Sequence, residues 1–157
     1  MRATDYADVA IKPPLLFGGA LALGYVLSLY FPIGPGLAQA NAFALTVGIV
    51  FIALGFVLAI RAVQMFRRAS TNVVPGQPAT ALVTAGPYRF TRNPIYIGFV
   101  LVYFGLSIVL TSMWVLVLLF PVLVILQRGV VEREEAYLER KFGDAYRAYK
   151  ARVPRWL

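Results

Sequence analysis

Two stretches without a formal charge dominate this chain: Pro13 to Ile60, and Asn93 to Gln127. A water-soluble domain needs Lys, Arg, Asp or Glu on its surface and does not leave runs of that length without them. Each run is long enough to hold two apolar helices separated by a turn, and crossing a bilayer takes about 20 apolar residues. With 60% hydrophobic residues and a mean hydropathy of +0.73, the sequence predicts an all-α integral membrane protein. The predicted spans are residues 14–31, 41–62, 95–111 and 113–128 of a single membrane domain over 1–157, with a loop at 67–93 and a tail at 129–157.

The charges that do occur fix an orientation. All fifteen Lys and Arg and all seven Asp and Glu fall in the first twelve residues, in 61–92 or in 128–157. With four spans these blocks share one side, which the positive-inside rule makes the cytoplasm, with both termini there. The expected location is an integral membrane protein of a bacterial cytoplasmic membrane, without a cleavable signal peptide. The net charge of +8 does not argue for nucleic acid, because the charges alternate with apolar segments instead of forming one basic surface. The sequence has no Cys and no His. Disulfides, thiol chemistry, thiolate metal sites, the usual metal ligand and the usual proton shuttle near neutral pH are all excluded, so no metal is expected.

Along the chain, Phe31-Pro-Ile-Gly-Pro-Gly reads as an uncharged turn after the first span, and Gly48, Gly55 and Ala59 allow close helix contacts on the second. The 69–85 stretch, with Pro75-Gly76-Gln77-Pro78, reads as a loop that either links the spans or covers a site. Gly98 and Gly105 mark one face of the third span as a groove for close packing, and a substrate is expected between spans three and four or beside that groove. Thr111-Ser112 turns the chain, so spans three and four form a hairpin, both short for a bilayer. After Arg128 the helical period persists through Val131, Glu134, Leu138 and Phe142, which predicts a helix that leaves the membrane and continues into water. Gly143 ends it. A short amphipathic helix carrying Tyr146 and Tyr149 follows, until Pro154.

The junction Gly86-Pro-Tyr-Arg-Phe-Thr-Arg-Asn-Pro-Ile-Tyr96 concentrates the chemistry. Pro94 suits the first turn of a helix and Asn93 suits its cap. Arg89 and Arg92 flank the positive end of that helix, a place for a carboxylate or phosphate. Read alone, Tyr88 and Tyr96 are interface anchors. The hairpin should bring Arg89, Arg92 and Asn93 to the same membrane face as Arg128, Glu132, Glu134 and Glu135. On spacing alone, that meeting is a ligand pocket or a salt-bridge network, Glu134 or Glu135 with Arg89 or Arg92, that locks the hairpin.

These motifs also resemble a known family. Gly86-Pro-Tyr-Arg89, Arg92-Asn-Pro-Ile-Tyr-Ile-Gly98, Glu134-Glu135, Phe142-Gly-Asp-Ala-Tyr-Arg-Ala-Tyr149 and Val153-Pro-Arg155 look like the C-terminal half of the isoprenylcysteine carboxyl methyltransferases, relatives of the membrane phospholipid N-methyltransferases. The resemblance covers roughly residues 72–157. It implies S-adenosylmethionine bound at the cytoplasmic ends of spans three and four, under the tail, and a lipophilic acceptor entering from the bilayer. Position by position, Tyr88, Arg92, Asn93, Pro94 and Tyr96 match the family's first block, with Arg89 beside it. Arg128, Glu134 and Glu135 match its second block, and Tyr146, Tyr149 and Arg155 its tail. Arg92 and Glu134 are the residues expected closest to the chemistry. The family usually has histidine where this chain has Asn93, and an amide cannot accept a proton. That tilts the expected acceptor toward a carboxylate or thiolate. Two other readings compete: an NADPH-dependent membrane reductase of similar architecture, whose arginines would take a 2′-phosphate, and a non-catalytic membrane protein whose arginines contact anionic lipid.

Overall fold

The computed structural model describes residues 6–33, 41–74 and 77–157. Gly34 to Gly36 of the first turn, and Pro75 and Gly76 of the long loop, lie outside the described residues. Helix α1, Pro13–Tyr30, starts on two prolines that need no hydrogen-bond partner in a first turn. Helix α2, Ala42–Arg68, is capped by Asn41, whose Oδ1 accepts the Ala44 N–H at 2.8 Å, and it ends on Arg67 and Arg68 at the negative end of its dipole. A 3-10 turn, Gly86–Arg89, leads to helix α3, Pro94–Val109. Helix α4, Met113–Leu126, is capped by the Ser112 hydroxyl, which accepts the Val115 N–H at 3.1 Å. A π turn, Gln127–Val131, then passes into α5, Glu132–Phe142, so the chain stays helical from Met113 to Phe142. Gly143, at φ +53°, makes the bend that starts α6, Asp144–Arg152.

All elements among the described residues are helical, and three helices are long and apolar enough to cross a membrane: Pro13–Tyr30, Ala42–Arg68 and Met113–Phe142. The apolar helix α3 has 16 residues, which at 1.5 Å per residue is about 24 Å, against about 30 Å of hydrocarbon.

Pairing follows the small residues. α3 packs chiefly along α2, and α4 along α1; α3 and α4 touch over a shorter length than a tight hairpin would give. A Cβ on Gly55 would lie 2.6 Å from the Gly98 carbonyl oxygen, and one on Gly105 would lie 2.6 Å from that of Gly48. The two backbones are therefore in contact at two levels. Helix α2 thus fills the space in front of Gly98 and Gly105, which form the close-packing face the sequence predicts and do not themselves line a groove. On the other pair, Gly24 lets α1 approach Val115 of α4, and the Ser28 and Ser112 hydroxyls share a hydrogen bond. Where the helices emerge, α6 buries Tyr146, Tyr149 and Val153 against Leu82, Leu138 and Phe142.

Substituting Gly55 or Gly105 by leucine drives carbon into backbone that cannot yield. We expect a loss of at least about 1–3 kcal/mol, read as a lower unfolding temperature in detergent. Gly18→Leu, where nothing lies within 4 Å, is the control and should leave it unchanged.

Candidate functional site

The start of α3 is tied to the C-terminal tail. By position Asn93 is the expected cap of α3; its side chain makes no capping bond, and its Nδ2 donates to the Arg155 carbonyl at 2.9 Å. The Thr91 hydroxyl donates to the same oxygen at 3.0 Å and accepts the Asn93 N–H at 3.2 Å. The Arg92 N–H donates to the Pro154 carbonyl at 3.0 Å. The amide acts as a clasp because the extended backbone at Val153, where α6 ends, brings an unpaired carbonyl within reach. A second tie comes from Tyr149, whose buried hydroxyl donates to the Tyr88 carbonyl at 2.8 Å.

Between the clasp and α5 sits an ion network. Glu135, only 7% exposed, accepts from Arg155 Nε at 3.1 Å and from Nη2 at 2.8 Å, a two-pronged pairing. Arg92 Nη1 lies 2.9 Å from Glu135 Oε1, in an ion contact without hydrogen-bond alignment. Among the described residues no cation forms an ion pair with the neighbouring Glu134; the Tyr96 hydroxyl reaches both its oxygens at 2.9 Å. Burial pushes the Glu134 carboxyl up from 4.5 to about 7, the Tyr96 hydrogen bond opposing and the Glu135 charge adding. Burial also holds the Tyr88 phenol well above its usual range, with Tyr149 and Glu134 adding to it.

These groups face a cavity of about 890 Å³, part of it open to solvent. Its walls come from the end of α2, the 72–83 loop, the 3-10 turn, the start of α3, and helices α5 and α6. Of the expected site residues, Tyr88, Arg92, Asn93, Tyr96, Glu134 and Glu135 line it, as do Tyr146 and Tyr149. Pro94 is fully buried behind the wall. Two expectations are corrected. Arg89 is exposed on the far side of the 3-10 turn, and Arg128 is exposed on the π turn; neither lines the cavity. In an unbroken α-helix Arg128 and Glu135 would share a face, but the π turn at 127–131 adds a residue to the repeat and rotates Arg128 away.

Some of the site had no signal in the sequence. The segment before α1 supplies part of the wall through buried Ala7, which packs on Ala79 and Tyr137. It is held by Arg133 Nη1 donating to the Asp8 carbonyl at 2.9 Å and by Ala10 N–H donating to the Gly129 carbonyl, also at 2.9 Å. Among the described residues there is no cluster of three metal-ligating side chains.

A family model described as phospholipid methyltransferase matches residues 43–145. The chain belongs to this family. Similar proteins include protein-S-isoprenylcysteine O-methyltransferase of Schizosaccharomyces pombe, 40% identical over 76 residues, 46% of this chain and 31% of that one. Protein-S-isoprenylcysteine O-methyltransferase B of Arabidopsis thaliana is 32% identical over 137 residues, 84% of this chain and 66% of that one. An uncharacterized protein of Haemophilus influenzae is 48% identical over 44 residues, 28% of this chain and 67% of its own length. The matches thus span between about a third and two thirds of these relatives. The phospholipid methyltransferase match begins inside α2 and stops in α6, so it takes in the junction and both glutamates but neither the N-terminal segment nor Arg155.

The Glu134 carboxyl holds its proton more tightly in the folded protein than in the unfolded chain. Its contribution to stability is therefore complete below about pH 4.5 and is lost as pH rises through about 7, a change of roughly 3 kcal/mol. Detergent-solubilised wild-type protein should lose thermal stability across that window, and Glu134→Gln should flatten the slope. Equal slopes for the two proteins would remove Glu134 as its source.

Proposed function

We propose that this integral membrane protein is a methyltransferase that takes S-adenosylmethionine into the cavity at its cytoplasmic face and methylates a lipophilic acceptor. In this reading all four apolar helices cross the bilayer, the short α3 and α4 with local thinning, and both termini are cytoplasmic. The observation that carries it is the charge pattern of the cavity wall. Arg92 lines the cavity with its side chain nine-tenths buried; its Nη1 has one ion contact, with Glu135, and neither its Nε nor the Tyr146 hydroxyl beside it has an aligned hydrogen bond among the described residues. Opposite in sign stands Glu134, a carboxylate held by a neutral phenol and, among the described residues, by no cation. One side offers donors for an anion and the other an acceptor for a cation, which suits a zwitterionic donor molecule.

S-adenosylmethionine supplies a methyl group on a sulfonium sulfur. The chain's own residues have these tasks in the proposal. Arg92 and the Tyr146 hydroxyl hold the carboxylate of the amino-acid end. Glu134, fixed in orientation by Tyr96, meets positive charge, and the faces of Tyr88 and Tyr149 give it an aromatic surround. The clasp through Thr91 and Asn93 keeps the tail closed and excludes water. Asn93 has its amide committed to the Arg155 carbonyl and takes no proton, so an acceptor already ionised at neutral pH, a carboxylate or thiolate, fits best. The relatives named as protein-S-isoprenylcysteine O-methyltransferases support the lipophilic class of acceptor.

The test is calorimetry on detergent-purified protein. S-adenosylmethionine and S-adenosylhomocysteine should bind, and Arg92→Ala and Glu134→Ala should each weaken binding at least about tenfold, or 1.4 kcal/mol. Affinity for the sulfonium compound should rise as pH passes about 7, because an ionised Glu134 favours a cation. Displacement by NADPH would install the reductase reading. Arginine variants that alter only binding to anionic vesicles, with neither nucleotide bound, would leave a lipid-binding protein.

A further inference from the structure

Two arginines meet one buried carboxylate, and they do not meet it equally. Arg155 takes both oxygens of Glu135 with Nε and Nη2, at 3.1 and 2.8 Å. Arg92 is left with one unaligned contact at 2.9 Å, its Nε has no partner among the described residues, and its side chain is nine-tenths buried on the cavity wall. A carboxylate accommodates one guanidinium in the two-pronged geometry, so the two side chains compete for it. The backbone decides the contest. The Arg155 carbonyl is fixed by Thr91 and Asn93, and the preceding Pro154 carbonyl by the Arg92 N–H. Arg155 therefore arrives at Glu135 already placed, and Arg92 is left with the single unaligned contact.

We propose that Arg155 is a positioning residue: by occupying Glu135 it keeps Arg92 from closing onto that carboxylate with two hydrogen bonds, so that the guanidinium, held by one unaligned contact, can turn to the anionic end of the methyl donor. The inference rests on the S-adenosylmethionine reading and adds a role outside the matched region. It also gives Asn93 a use that does not involve a proton, as the residue that anchors the backbone of Arg155. Without Arg155, Arg92 closes onto Glu135 with two hydrogen bonds and the cavity loses its anion-binding donors, while the acceptor's own contacts are untouched.

The experiment compares S-adenosylhomocysteine binding in detergent for wild type, Arg155→Ala, Arg155→Lys, and the pair Arg155→Ala with Glu135→Gln. Arg155→Ala should weaken binding at least about tenfold. In turnover with a prenylated cysteine analogue it should raise KM for S-adenosylmethionine while leaving kcat, and KM for the analogue, within about twofold. Arg155→Lys, which keeps the charge and the clasp but not the fork, should fall between. The double variant is decisive: a neutral amide in place of the Glu135 carboxylate no longer captures Arg92, so binding should recover to within about threefold of wild type. A residue that only holds the fold would give a double variant as weak as the single one, and that result overturns the proposal. So does unchanged binding in Arg155→Ala. If Arg155→Ala does not yield monodisperse protein, Arg155→Lys alone and with Glu135→Gln carries the same comparison. Wild-type protein that binds no S-adenosylhomocysteine overturns the donor reading itself, a result distinct from wild-type binding that Arg155 fails to influence.

Discussion

Taking a carboxylate out of water costs several kcal/mol unless cations and donors replace the water, and Glu135 is in that position at the end of the bundle where α3 begins. Its compensation comes from two places far apart in the sequence, Arg92 at the start of α3 and Arg155 in the tail. Removing either cation leaves charge buried and underpaired, so α5, the α3 start and the tail are held in one arrangement. That arrangement borders the cavity, where Glu134 is turned to the Tyr96 phenol.

The membrane-embedded half sets where this network can form. Glycine pairs bring the α2 and α3 backbones into contact at two levels, which fixes α3 along its length against the longer helix. α3 is short, so its N-terminus and the residues before it stand close to the level at which α2 ends in Arg67 and Arg68. Residues 77–83 then line the gap, with the Ala79 N–H donating to the Tyr137 hydroxyl and the Thr80 N–H to that of Thr71. The apolar contacts give the rods their depth, and the ion network decides how their ends face one another.

The helices are legible in the sequence because hydrophobicity and turn-formers act locally: Pro13, Asn41, Pro94 and Ser112 stand at or next to the helix starts. The side-chain roles are less so, for identifiable reasons. Asn93 looks like a helix cap by position, but whether an amide caps or clasps depends on which carbonyl the tail brings near it, and that carbonyl is 62 residues away. Arg128 belongs to the site only if the helix keeps its α repeat, and nothing in Gln-Arg-Gly-Val-Val announces the π turn. Gly98 and Gly105 do form a close-packing face; what the sequence does not say is that α2 occupies it. The N-terminal segment carries no motif, since it contributes a small buried side chain and backbone hydrogen bonds, which any sequence can provide.

Two adjacent glutamates meet different surroundings. Glu134 and Glu135 differ by about 100° around α5, and that rotation sends one to two guanidinium groups and the other to a phenol. Among the described residues the charged ones of the cavity wall are then Arg92, Glu134 and Glu135, with Arg89 and Arg128 outside it. A nucleotide carrying several phosphates would bring its negative charges to a wall with one available arginine and an uncompensated carboxylate, a like-charge encounter in a poorly solvated space. A molecule with one carboxylate, one ammonium and one sulfonium finds a counterpart for each sign. The same two exposed arginines that sequence spacing assigned to the site would have favoured a phosphate. In the proposed reading, their exposed positions outside the wall favour the methyl donor over the dinucleotide.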